Sequence, residues 1–367
     1  MSNYYNPVKI INTENWLHEL RAQIDFLKIS SPIIITSKGN RERLNLNKYF
    51  NHNSIYSLDD SNPNFQDCED AITFCRANIA FDGVVAIGGG SAMDLAKVVM
   101  AYLCTNQANI YELIEKNNKL SKTIPSIFLP TTHGTASEVT MWGTIWNMKE
   151  KKKYSISNKR LYPSIAILDA NLVLTLPLGI SIITTMDALS HSFEAIWNKN
   201  SNKKSTNYAI EAITIILKNT HFLKQNLSDI IVRNKLLIAS NLAGLAFSNT
   251  ATAAAHSISY PLTINYGIPH GVASSLPLLP LLKINKSSIE NELELIMKKL
   301  DMHKFSELES CIKRIPEKII NFNLKSWGVA QSDLPVLVDQ SFTKGRIDNN
   351  IVDLDKNDIL SILKYIF

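Results

Sequence analysis

A chain of 367 residues with 38 basic and 33 acidic side chains, formal net charge +5, has an ordinary globular composition and room for two domains with a generous core. No basic block alternates with aromatics, and the longest basic run, 149–153, is broken by Glu150, so nucleic acid is not an expected partner. Cys68, Cys75, Cys104 and Cys311 follow no zinc or CxxC spacing, no signal-peptide core opens the chain, and no apolar run reaches about 20 residues, so a cytoplasmic protein with reduced thiols and no membrane partner is expected.

In chain order, "SPIIITSKG" reads as a buried strand entering a loop. "FDGVVAIGGGSAMDLAKVVMAYL" reads as strand, glycine loop and helix. "SIFLPTTHGTASEV" repeats the strand-to-loop step, and "SIAILDANLVLTLP" adds a strand. Short apolar runs between helical stretches predict a parallel sheet covered on both faces, with ligands at the carboxyl ends of its strands. After 174–179, "LTLPLG", the pattern turns helical, over 180–197, 206–218 and 229–248. The expectation is an α/β nucleotide-binding domain over 1–178 and an all-helical domain over 179–367.

Gly88, Gly89, Gly90 and Ser91 directly follow "VVAI". Glycines let backbone amides approach a phosphate, the next helix adds its positive end, and Ser91 adds a hydroxyl. A plain strand-to-helix turn has the same look. Asp94 and Lys97 follow at set spacing, and Thr131, Thr132, Thr135 and Ser137 surround a second strand end. A threonine-rich loop can simply cap a helix, but two such loops in one α/β domain favour a dinucleotide.

"MDALSHSFEAIW" puts Asp187 and His191 at i and i+4, on one helix face. Alone, that pair is a common surface interaction. His256 lies in a helical segment, and His270 follows the breaker "GIPHG", so the chain can turn back to the same point. One carboxylate and three imidazoles suit Fe(II), Zn(II), Mn(II) or Co(II).

The motifs "GGGSAMDLAK", "PTTHGTASEVT", "DALSHSFE" and "HSISYPL…IPHG", in this order, resemble those of the iron-dependent (group III) alcohol dehydrogenases from about Ile33 onward. The resemblance implies a Rossmann-like N-terminal domain and a helical, metal-binding C-terminal domain, as in dehydroquinate synthase. It implies NAD(P)-dependent exchange between alcohols and aldehydes, a homodimer, and usually Fe(II) on Asp187, His191, His256 and His270. It places cofactor contacts on Gly89, Gly90, Ser91, Thr131, Thr132, Thr140 and Lys153.

Three departures refine the expectation. Tyr260 stands where many relatives carry a second histidine; with a pKa near 10 it is a poor base and acts through its hydroxyl or by packing. Ser37 replaces the aspartate that holds the ribose hydroxyls in NAD-using relatives, and Lys38, Arg41 and Arg43 follow, which favours NADPH over NADH. "ISYPLTINYGIPHG", "TIWNMKEKKKYSI" and "KGRIDNN" are similar to the phosphonoacetaldehyde reductases of the family, with Arg346 the candidate contact for the substrate anion and Lys344 and His133 lesser ones. A short-chain alcohol or diol dehydrogenase is the alternative. Other readings are a dehydroquinate-synthase-like lyase and a non-catalytic metal- and nucleotide-binding protein.

Overall fold

A computed structural model of the chain describes residues 4–59, 62–77, 80–105, 109–116, 120, 122–147 and 149–367. It divides into two compact units. An α/β unit comprises Asn6–Thr132 and Ala136–Thr175; a helical unit comprises Leu176–Phe367, His133–Thr135 and the start of the chain up to Tyr5.

The α/β unit is built on strands β1 (Lys9–Asn12), β2 (Pro32–Ser37), β3 (Ile55–Leu58), β4 (Gly83–Gly88), β5 (Ser126–Pro130), β6 (Trp142–Asn147), β7 (Lys152–Ser157) and β8 (Ile165–Leu168). Six of them form one parallel sheet in the order β1-β8-β5-β4-β2-β3; β6 and β7 form a separate antiparallel hairpin. Helices α1 (Trp16–Phe26), α2 (Lys38–Arg43), α3 (Phe65–Ala77), α4 (Gly90–Thr105) and α5 (Ile110–Lys116) lie between the strands in sequence. Successive strand side chains point to opposite faces, which is why β2, β4 and β5 are apolar at nearly every position. Ile33, Ile35, Val84, Ala86 and Phe128 pack with α3 and α4 on one face. Ile34, Val85, Ile87, Ile127 and Leu129 pack with Leu20 and Ile24 of α1 on the other.

The strand order reverses between β2 and β4: the chain runs outward from β2 to β3, then back through β4 to β5. A ligand crevice belongs at the carboxyl ends of strands flanking such a reversal. Those ends are Ser37 and Gly88, paired through Thr36 and Ile87. At Gly88 a Cβ would lie 2.5 Å from the Ala92 Cβ, so only glycine lets α4 leave β4 at this angle.

The helical unit centres on α6 (Leu178–Ile196), α7 (Lys203–Gln225), α8 (Ile230–Thr250), α9 (Ala254–Tyr266) and α10 (His270–Ser275), followed by short helices. Every residue of α6 over 185–196 is buried, including Asp187, Ser190, His191 and Glu194, so its polar face needs internal partners. The α8 helix is long and apolar enough to cross a membrane by length and composition, yet 67% of its most apolar stretch is buried within the fold and it carries the buried Arg233. Tyr4 and Tyr5 dock on α8: the Tyr4 hydroxyl donates to the Leu245 carbonyl at 3.0 Å and the Tyr5 amide to Asn249 at 2.7 Å. The Lys204 ammonium lies 4.5 Å from the Tyr4 ring centre.

Candidate metal and cofactor sites

Asp187 and His191 stand one turn apart on α6; His256 lies in the first turn of α9, and His270 opens α10 after Pro269. A Cβ at Gly271 would lie 2.5 Å from the Ile183 carbonyl and 3.2 Å from the Asp187 Cβ, so glycine permits α10 to seat its histidine against α6. His256 Nε2 and His270 Nε2 lie 3.6 Å and 3.9 Å from Asp187 Oδ1, and His191 Nδ1 lies 3.9 Å from Oδ2. Ligand atoms of Asp187, His256 and His270 all fall within 4.8 Å of one another. Ligands at ~2.0–2.2 Å from one cation sit at comparable separations from each other. The His191 ring is stacked between Phe247, at 4.1 Å, and His256, at 4.4 Å.

Burial works against ionising Asp187, yet His191, His256 and His270 hold its carboxyl far below the usual range. Burial would likewise lower His256, but Glu194 and Asp187 raise it to about 10. The carboxylates of Asp187 and Glu194 put two acidic groups in this buried pocket. His256 Nε2 is buried without a hydrogen bond. A carboxylate with neighbouring imidazoles is a donor set that fits a divalent transition metal, and Ser274 steadies the carboxylate by donating to Asp187 Oδ1 at 2.8 Å.

Sequence reasoning stopped at His191 and missed Glu194. Glu194 lies three residues beyond His191 and seven beyond Asp187, so extending the same helical spacing would have found it. It is 0% exposed and accepts the backbone N–H groups of Ala253 and His256, both at 3.1 Å, while its second oxygen meets His256 Nδ1. The turn leading into α9 is strained: Ala251 has φ 60° and ψ 178°, backbone normally left to glycine. Asn198 donates to the Ala251 carbonyl at 3.1 Å and Asn349 to the Thr252 carbonyl at 2.9 Å.

In the α/β unit, Ser37 caps α2 by accepting the Asn40 N–H at 3.2 Å. The Thr131 N–H donates to the Gly88 carbonyl at 3.0 Å, and the Asn40 amide donates to Thr131 Oγ1 at 3.1 Å. A Cβ on Gly89 would lie 3.0 Å from the Thr132 Cγ2. Ser37, Gly88, Gly89, Thr131 and Thr132 thus share one rim, and Gly90 and Ser91 begin α4 beside it, with Ser91 Oγ accepting from the Asn62 amide at 3.0 Å.

Asp94 and Thr140 turn inward. The buried Lys97 ammonium donates to Ser137 Oγ, Thr140 Oγ1 and the Trp142 carbonyl at 2.7–2.8 Å, and Asp94 accepts from Ser137 Oγ at 2.7 Å and from the Thr144 amide at 3.0 Å. Burial lowers Lys97 to about 8 against the pull of Asp94 and Glu138. Lys153, on β7, stands 5.5 Å from the Trp146 ring centre. Thr135 belongs to the helical unit, whereas Thr131 and Thr132 belong to the α/β unit. The basic residues after Ser37 are engaged: Lys38 with Asp59, Arg41 with Asn47, Ser57 and the Ile55 carbonyl, and Arg43 with Asn40, Thr175 and the Leu172 carbonyl.

Tyr260 is half-buried one turn after His256 on α9. Arg346 is half-buried and donates to the Gly345 carbonyl at 2.8 Å. Its loop is pinned beside α9 at both ends. Ser257, next to His256, donates to the Ser341 carbonyl and accepts the Thr343 N–H, and Asn349 reaches Thr252. Lys344 is exposed. His133, a lesser candidate for an anion contact, is buried with neither ring nitrogen hydrogen-bonded, and burial, with Arg233's charge, pushes it down to about 3.

Residues 7–170 match the family described as iron-containing alcohol dehydrogenase, and residues 181–367 match the Fe-containing alcohol dehydrogenase family, C-terminal. Long-chain-alcohol dehydrogenase 1 of Geobacillus thermodenitrificans is 35% identical over 59% of this chain and 55% of its own length. The chain spans about half the length of the first curated relatives it matches. A crystal structure of 1,3-propanediol oxidoreductase superposes with a TM-score of 0.90 at 26% identity, over 100% of both chains. Sulfoacetaldehyde reductase from Bifidobacterium kashiwanohense, in complex with NAD+, gives 0.88 at 27% identity, over 100% of this chain and 98% of that one.

Proposed function

The chain belongs to the iron-containing alcohol dehydrogenase family, and from that premise we propose that it exchanges an aldehyde for a primary alcohol, using a nicotinamide dinucleotide and a divalent cation, Fe(II) by preference. The observation that carries the reading is the convergence of Asp187, His256 and His270, with His191 beside them.

When bound, the two groups supply a hydride at the nicotinamide and a Lewis acid for the substrate's carbonyl oxygen. Asp187, His191, His256 and His270 would hold the cation, the carboxylate offsetting part of its charge in a buried place. Gly88, Gly89, Gly90 and Ser91 bring the first backbone amides of α4 to the pyrophosphate. Ser37, Thr131 and Thr132 flank it, and Lys153 is a further dinucleotide contact. Asp94 and Thr140 act by shaping the loop through Lys97. Tyr260, one turn past His256, offers a hydroxyl proton to the substrate oxygen. With Arg41 and Arg43 engaged elsewhere, a preference for NADPH rests on Ser37 and on Lys38, whose exposed pairing with Asp59 is weak enough to yield to a 2′-phosphate. We further propose a homodimer working in the cytoplasm.

The proposed substrate is phosphonoacetaldehyde, reduced to 2-hydroxyethylphosphonate. Two features support it: likeness to an enzyme named for another two-carbon aldehyde with an anionic head, and the Arg346 loop pinned beside the helix of His256. Likeness to 1,3-propanediol oxidoreductase favours small neutral alcohols and diols instead.

Stoichiometric oxidation of NADPH and NADH by Fe(II)-reconstituted protein, offered phosphonoacetaldehyde or propanal, tests the reading. Expected is a kcat/KM for phosphonoacetaldehyde ~100-fold higher, about 2.7 kcal/mol of discrimination. Arg346→Ala should raise the phosphonoacetaldehyde KM by about 10-fold or more, and the propanal KM by less. Equal turnover of propanal would discard the phosphonate assignment and leave the reductase. Substrate conversion without loss of reduced cofactor would mark a lyase.

A further inference from the structure

We propose that Glu194 is the positioning residue for His256: it caps the helix that carries this histidine and grips its ring, and so sets the affinity of the cation site. This rests on the reading of Asp187, His191, His256 and His270 as cation ligands.

The α9 helix begins badly. Its N-cap is Ala253, whose side chain cannot accept a first-turn N–H, and the residue two before it, Ala251, sits in strained backbone. Left to local sequence, the turn has little reason to deliver His256 to one place. Glu194 supplies the missing acceptor from α6. One carboxylate oxygen takes the Ala253 and His256 amides, and the other meets His256 Nδ1. A fully buried carboxylate is costly unless its lone pairs are used, and here both oxygens are engaged.

Capping alone needs only the first oxygen. The second, on Nδ1, fixes the ring orientation and leaves the Nε2 lone pair for a cation, 3.6 Å from Asp187 Oδ1. Because Glu194 and Asp187 ride the same helix, one rigid element fixes both a ligand and the mount of a ligand from another helix. A carboxylate behind a ligating imidazole also strengthens it as a donor.

The test is Co(II) binding to metal-depleted wild type, Glu194→Gln and Glu194→Asp, by calorimetry and by the visible absorption of Co(II). Glu194→Gln should bind Co(II) ~10–100-fold more weakly, with altered absorption bands and a metal-free melting temperature near wild type. Glu194→Asp, which keeps the charge on a shorter arm, should fall between and serves if the amide variant fails to fold. Wild-type affinity and spectrum in the variants, with a lower metal-free melting temperature, would make Glu194 a cap and nothing more. Wild type that binds no Co(II) would instead bring down the cation reading itself, and this inference with it.

Discussion

His133 shows how far burial decides what a side chain can do. Its native pKa is pushed down to about 3, first by burial and then by Arg233, whereas the unfolded chain titrates near 6.5. Between those values the unfolded state binds a proton that the native state refuses. Stability contributed by the neutral ring is therefore intact above about 6.5 and lost as pH falls toward about 3, at ~1.4 kcal/mol per pH unit. By pH ~5 that loss is about 2 kcal/mol. His133→Gln cannot titrate, so urea unfolding of that variant should show a shallower fall in stability from pH ~6.5 to ~5; parallel slopes would mean that the native ring takes up its proton normally. Nothing in "PTTHGTASEV" reveals this, because the proximity of Arg233 arises only in the fold. The same holds for Arg41 and Arg43, whose partners Asn47 and Thr175 are invisible to local reading. Glu194 differs: its helical spacing was legible, and only its use was not.

Elements were legible where both faces are buried. The runs in β2, β4 and β5 are apolar at almost every position and announce themselves. The edge strands β1 and β3 have four residues each, and β7 is largely half-exposed, so neither run length nor alternation marks them. The α6 helix was legible as a helix with Asp187 and His191 on one face, but the approach to α9 was not. Ala251→Gly should relieve the positive φ and raise unfolding free energy by about 1 kcal/mol, read from the urea midpoint at constant m. A loss of stability would show that the turn is unstrained. The hydrogen bonds from Asn198 and Asn349 use backbone acceptors, so the substitution leaves them in place.

At the scale of the whole molecule, the proposed sites belong to different units, and each ligand should leave its own mark. Zn(II) added to metal-depleted protein should slow amide exchange in α6, α9 and α10; NADP+ should slow it around Gly88–Ser91 and Thr131, both followed by hydrogen-exchange mass spectrometry. Slowing of the β4–α4 turn by the cation alone would count against this assignment. The long division between the two units falls at Thr175 and Leu176. The return of His133–Thr135 and of Tyr4 and Tyr5 to the helical unit was unreadable, since it depends on contacts made across more than 200 residues for the latter pair. That last contact has a consequence for synthesis. Tyr4 and Tyr5 leave the ribosome 241 and 244 residues ahead of Leu245 and Asn249, whose carbonyl and amide receive them. Until α8 has emerged this short arm has no seat, so its docking follows the synthesis of that helix.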